Sequence, residues 1–207
     1  MRIITISREF GSGGRELGKR LADLLKIDYY DKEIITKIAE NNGLNPGYVE
    51  NILENHGWQD IPLTFGHSFM YVSPFLTAHN DLLKQQKEII EKIVKKGKDF
   101  IIIGSNADKL LEKHNPFKIF VCAQMDAKVK RCVDRQNEDE NLSEKEIIKM
   151  IKRIDKNRRK SHELLSDTKW GDPHEYDLVV NTTNWSIKAL TPLVKEYVEK
   201  WFEEKNK

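Results

Sequence analysis

The chain has 207 residues, 39% of them hydrophobic and 33% charged, and its 35 Lys and Arg against 33 Asp and Glu leave a formal charge of +2. That length suits one domain, 1–207, with a real core, and so slight a charge excludes a bulk electrostatic case for nucleic acid or a membrane surface as partner. No apolar run is long enough to span a bilayer, and Cys122 and Cys132 follow neither a disulfide framework nor a metal-ligand spacing, so a cytoplasmic setting with two free thiols is expected.

The first element is the strand pattern RIITIS (2–7), followed by the glycine-rich run EFGSGGRE (9–16) and then by an apolar helical face at Leu17, Leu21, Leu24 and Leu25. The string from Gly13 to Lys19 satisfies the G-x-x-x-x-G-K template. A face that begins at Leu17, however, needs the helix under way by about Glu16. The loop therefore ends before Lys19, which falls one turn into the helix and points away from any phosphate. Gly11, Gly13 and Gly14, with Ser12 between them, let successive backbone N–H groups turn toward an anion at a helix N-terminus. Arg15 stands where a loop lysine is usual and supplies the cation, its planar fork matching two phosphate oxygens. The plain alternative is a glycine turn that joins strand to helix.

IDYY (27–30) is a weaker strand. Residues 44–80 mix Pro, Gly, aromatics and histidines without periodicity, which predicts an inserted, substrate-facing segment over roughly 40–84. LLKQQKEIIEKIVKKG (82–97) reads as a helix stopped by lysines and Gly97. FIIIG (100–104), FKIFVCA (117–123) and DLVVNT (177–182) are nearly continuous apolar runs, as strands covered on both faces require. Between the last two, Ser143 and Glu146 form a capping box ahead of a helix, inside a charged stretch (136–175) that holds RIDKNRRK and KWGDPHEYD. Strand and helix alternation of this kind predicts an α/β fold with a parallel sheet.

ITISREFGSGGRELGKRLA, YYDKEII, a strand ending in IIIGSNAD, and DKNRR with KWGDPHEYDLVVNT together resemble the cytidylate kinase-like family, P-loop relatives of the CMP kinases. The resemblance covers nearly the whole chain and is weakest over 44–80. It implies a three-layer P-loop NTPase fold with a five-stranded parallel sheet, an acceptor-binding insert near 40–84 and a lid near 136–175. It also implies ATP-dependent phosphoryl transfer to a nucleoside monophosphate such as CMP or dCMP, with ATP and Mg2+ as cofactors, in a monomer or weak homodimer. Asp155 and Arg158 match a D-x-x-R lid element, with Arg153 and Arg159 adding to a clamp around the moving phosphoryl group; a solvated helix laced with salt bridges is the alternative. Arg131 resembles an acceptor-phosphate arginine, or lies on the surface. Asp31 sits where acceptors lie in such kinases, or caps the helix KEIITKIA. Asn181 and Thr182 resemble the loop that passes the donor base, or cap the final helix.

Two departures stand out. CMP kinases follow the loop Gly-Lys with a hydroxyl residue that ligates magnesium, whereas here Arg15 is followed by Glu16, so Glu16 and Ser12 are the candidate metal ligands. Relatives also carry an arginine after the glycine that ends the third strand. This chain reads Gly104-Ser105-Asn106 there, with Asp108 retained nearby. The acceptor site is thus expected at Asp31, Ser105, Asp108 and Arg131, and a non-nucleotide acceptor or a nucleotide-binding regulatory module with little turnover stay open beside the nucleotide kinase.

Overall fold

Four short apolar runs and the segment DYYD become the five strands of one sheet: β1 (Ile3–Arg8), β2 (Asp28–Asp31), β3 (Phe100–Ile103), β4 (Phe117–Cys122) and β5 (Leu178–Asn181), in the order β2-β3-β1-β4-β5. The computed structural model describes residues 1–31, 87–104, 106–136, 142–205 and 207. The expected insert and Ser105 lie outside the described residues. By contact density the chain divides into two compact units, Met1–Tyr30 with Lys98–Lys207, and Asp31–Gly97.

Strand β1 holds the middle of the sheet. It pairs in parallel with β3, Ile3 opposite Phe100 through Ile6 opposite Ile103, and with β4, Ile4 opposite Phe117 through Arg8 opposite Val121. Strand β4 pairs in parallel with β5, Cys122 facing Asn181. Every residue of β1 and β3 is buried, whereas the edge strand β5 alternates; the central strands therefore read as continuous apolar runs and the edge does not. Because the chain leaves β1 toward β3 on one side and toward β4 on the other, the crevice for a ligand opens beyond the C-terminal end of β1.

The helices are α1 (Gly14–Leu25), α2 (87–95), the single turn α3 (Ala107–Leu110), α4 (Met125–Val133), α5 (Glu144–Glu163) and α6 (Ile187–Lys205). Helix α1 lays Leu17, Leu21 and Leu25 on the sheet and packs along α6. Helix α2 buries Ile89, Ile90 and Ile93 and ends at Gly97, whose φ is +68°, as its glycine stop predicts. Helix α5 opens on the expected capping box: the Ser143 side chain accepts from the Glu146 N–H and the Glu146 carboxylate accepts from the Ser143 N–H at 2.9 Å. At the end of the sheet away from the crevice, Phe117 is wholly buried against Trp201 of α6, ring centres 4.9 Å apart. Both cysteines are free thiols, and among the described residues no helix is long and apolar enough to cross a membrane.

Candidate active site

The run 9–13 forms a turn between β1 and α1. Gly11 (φ +73°) and Gly13 (φ +83°) take the left-handed conformation that side chains resist, and Gly13 caps α1 with no side-chain bond to its first N–H groups. Such a turn leads a row of backbone donors to the positive end of a helix, the arrangement that binds phosphate. Gly14, Arg15 and Glu16 are the first three residues of α1, and Lys19 lies within it. The helix thus starts earlier than the apolar face alone requires, and Lys19 is no part of the turn.

Support for the turn comes from far along the chain. Ser12 is fully buried; its hydroxyl donates to the Glu9 carbonyl at 2.8 Å, and its own carbonyl accepts from the Thr182 hydroxyl at 2.6 Å. From α5, the Asp155 carboxylate accepts the Phe10 N–H at 2.7 Å on one oxygen and the Lys128 ammonium at 3.1 Å on the other. Lys128, on α4, is 4% exposed and also pairs with Glu9 at 2.8 Å. Arg158 donates to the Arg8 carbonyl at 3.0 Å, stands 3.8 Å from Asp155 and covers the Phe10 ring. Burial pushes the Asp155 carboxyl above the usual carboxylate range, against the pull of Lys128, the Phe10 N–H and Arg158. Of the four residues expected in a lid, Asp155 and Arg158 are therefore at the turn, while Arg153 and Arg159 lie on the exposed side of α5.

Arg131 binds carbonyls rather than standing open. It donates to the carbonyl of Thr182 and, at 3.3 Å, to that of Trp185, so the loop after β5 hangs on α4. These bonds use one terminal nitrogen of Arg131 and place it beside the loop expected to pass a donor base, while its other terminal nitrogen, also buried, has no hydrogen-bond partner among the described residues. In the same loop Asn181 accepts from the Thr183 N–H at 3.0 Å, and Thr183 in turn accepts from the Gln124 N–H at 2.9 Å. Asp31 ends β2 and is fully buried; the helix that it could cap lies outside the described residues.

Asp108 is 1% exposed, and neither of its carboxylate oxygens has a hydrogen-bond partner among the described residues. Its near neighbour is His162 of α5, fully buried, with ring Nδ1 at 3.9 Å. Burial pushes the Asp108 carboxyl up, and the nearby charge of His162, its own backbone N–H and the charges of Lys109 and Lys118 offset this only in part. The KWGDPHEYD stretch explains itself here. Trp170 and Tyr176 pack on Phe120, ring centres 5.3 and 5.0 Å away, and Gly171 leaves room for that ring, which would lie 3.0 Å from any Cβ. Asp172 caps the short turn Pro173–Glu175 that leads Tyr176 inward, and the Lys109–Glu175 pair at 3.0 Å fastens that turn beside Asp108.

The two candidate metal ligands do not fit a cation. Glu16 holds Arg20 at 2.8 Å on one oxygen and Arg135 on the other, and two guanidiniums repel a divalent ion from the same carboxylate. Ser12 is fully buried, with its hydroxyl turned to the Glu9 carbonyl. Glu9, Lys128 and Arg135 were not singled out by sequence reasoning. A signal existed for Lys128: it stands with Val129 and Cys132 on the buried side of α4, a lysine where an apolar residue is expected.

The cytidylate kinase-like family profile matches residues 3–184. A curated cytidylate kinase of Staphylothermus marinus is 24% identical over 205 residues, covering 99% of this chain and 100% of that one. Among solved structures, an uncharacterized protein from Eubacterium ventriosum superposes with a TM-score of 0.71 at 25% identity, over 96% of this chain and 99% of its own. A shikimate kinase from Bacteroides thetaiotaomicron, at 13% identity and a TM-score of 0.53 over 96% and 98% of the two chains, shares the fold. A parallel sheet with β1 at its centre, a glycine turn opening α1 and a match over almost the whole length agree: the chain belongs to the cytidylate kinase-like family.

Proposed function

We propose that this protein is a phosphotransferase that binds ATP at the turn after β1 and passes its terminal phosphoryl group to a small acceptor, a nucleoside monophosphate of the CMP or dCMP kind. The observation that carries this reading is the convergence of Phe10 N–H, Lys128, Asp155 and Arg158 on the turn. Phosphoryl transfer needs in-line positioning and fixed charge around the moving group more than covalent help. A turn of backbone donors on one side and α5 with Arg158 on the other supply that. Thr182 and Arg131 set the loop after β5 against the same turn, where a donor base would lie. Since Glu16 and Ser12 do not fit a cation, no step is assigned to a metal held by this chain.

A second reading, a non-nucleotide acceptor, is favoured by one feature: serine at position 105 where relatives carry an arginine. An acceptor phosphate bears about two negative charges at neutral pH, and a hydrogen bond to a charged group is worth about 1.5–3 kcal/mol. Losing it weakens the acceptor by roughly tenfold to a hundredfold. The test is ATP binding by calorimetry, then ADP release with a panel of nucleoside monophosphates, sugars and polyols. ATP binding with weak CMP turnover, and a several-fold lower CMP KM in Ser105→Arg at unchanged ATP affinity, are the expected results. Efficient turnover of a sugar or polyol alone would select the second reading, and tight ATP binding with no turnover of any acceptor would mark a regulatory module.

A further inference from the structure

We infer that Lys128 is the phosphate-binding lysine of this protein, delivered from helix α4 rather than from the turn itself, and that the Asp155 carboxylate holds its place while no nucleotide is bound. The inference rests on the proposed ATP site. Family motifs place a lysine at the end of the glycine run, and this chain has Arg15 there, with Lys19 further along α1. A buried ammonium nevertheless reaches the turn. The Lys128 stem passes directly beneath Gly11, where a Cβ would lie 3.1 Å from both the Cβ and the carbonyl oxygen of Lys128.

What the ammonium touches suggests its ligand. Asp155 puts one oxygen on the Phe10 N–H at 2.7 Å and the other on Lys128 at 3.1 Å, with Arg158 at 3.8 Å. A backbone donor of the turn, an ammonium and a guanidinium thus surround one two-oxygen anion, as they would surround two oxygens of a phosphoryl group. The Glu9 carboxylate stands 2.8 Å from the same ammonium as a second charged partner, and an ammonium has three protons to give. A buried lysine used only to neutralise Glu9 and Asp155 is the structural alternative, since unpaired carboxylates at such a place are costly.

The two roles separate in a charge-balanced variant. Glu9→Gln with Lys128→Met removes one charge of each sign, and the amide oxygen that replaces the carboxylate can still accept the Ala123 N–H, which Glu9 accepts at 3.1 Å. Binding of ATP, inorganic tripolyphosphate and adenosine is measured alongside thermal unfolding. We expect the double variant to melt within a few degrees of wild type, to lose at least tenfold in affinity for ATP and tripolyphosphate, and to bind adenosine unchanged. ATP affinity within threefold of wild type in the folded double variant overturns the inference and leaves the ATP site standing. Should the double variant not fold, Glu9→Gln alone decides: an ammonium relieved of one carboxylate binds ATP at least threefold more tightly, whereas equal or weaker binding overturns the inference. Wild-type protein that binds neither ATP nor tripolyphosphate at millimolar concentration would overturn the ATP site itself, and the inference with it.

Discussion

Asp108 shows what one residue reveals about the purpose of its surroundings. Its carboxyl is buried, its oxygens accept no hydrogen bond among the described residues, and burial outweighs the pull of His162, Lys109 and Lys118. A fold that wanted only stability would not put an acid there, and strongly perturbed acids gather at functional sites. The sign of its effect follows by linkage. With the folded pKa raised above an unfolded value of about 3.9, folding takes up a proton, so Asp108 opposes folding once the pH climbs from about 4 through the folded value. Asp108→Asn, which keeps the shape and removes the charge, is therefore expected to match wild type at pH 3.5 and to melt higher at pH 7. Thermal unfolding against pH checks this, and a variant less stable at pH 7 would show that the charged carboxylate is satisfied by a partner. A place for Asp108 in the acceptor site is an expectation that the sequence offers by resemblance. Its lack of hydrogen-bond partners is not legible there, because which donors surround a buried acid is decided by residues far along the chain.

Helix α5 shows the same division at the scale of an element. Its start was legible in full: Ser143 and Glu146 three residues apart are a local pattern, and both reciprocal bonds form. Its inward face was legible too. Ile147, Met150, Ile151 and Ile154 recur at helical spacing, and Asp155 and Arg158 continue that side while Arg153 and Arg159 turn from it. The expectation of a clamp of all three arginines comes from the motif, whereas the helical wheel singles out Arg158. We therefore expect Arg158→Ala to lower kcat of the phosphotransfer by about tenfold to a hundredfold, the scale for one charge-assisted bond formed around the moving group, and Arg153→Ala to lower it by less than threefold. Steady-state kinetics on the best acceptor from the panel would decide; equal losses would mean that α5 presents another face during turnover.

At the scale of the whole molecule the alternation of strands and helices pointed to the α/β class, but not to the order β2-β3-β1-β4-β5. Parallel strands buried on both faces are all apolar runs, and nothing in such a run names its neighbour. The site shares this non-local character. Thr182, at the end of β5, donates to the carbonyl of Ser12 across the sheet at 2.6 Å, in a buried setting. Thr182→Val keeps the shape and strands that carbonyl, which is expected to cost about 1–3 kcal/mol of stability and to loosen the turn enough to weaken ATP binding. Urea unfolding with a calorimetric ATP titration measures both, and an unchanged unfolding midpoint would show that the bond carries no net energy.

These distant bonds also set a timetable for biosynthesis. The partners that hold the turn stand 114, 145 and 170 residues further along the chain. The glycine run leaves the ribosome well before Asp155 and Thr182 are made. At about 5–20 residues per second, the segment that was synthesised first waits roughly 10–30 s for the residues that complete it. Folding dominated by such long-range closure is slow, so until β3 and β4 have been made the nascent chain carries an apolar β1 with neither of its strand neighbours, and it is then, before any nucleotide can bind, that it depends most on chaperone protection.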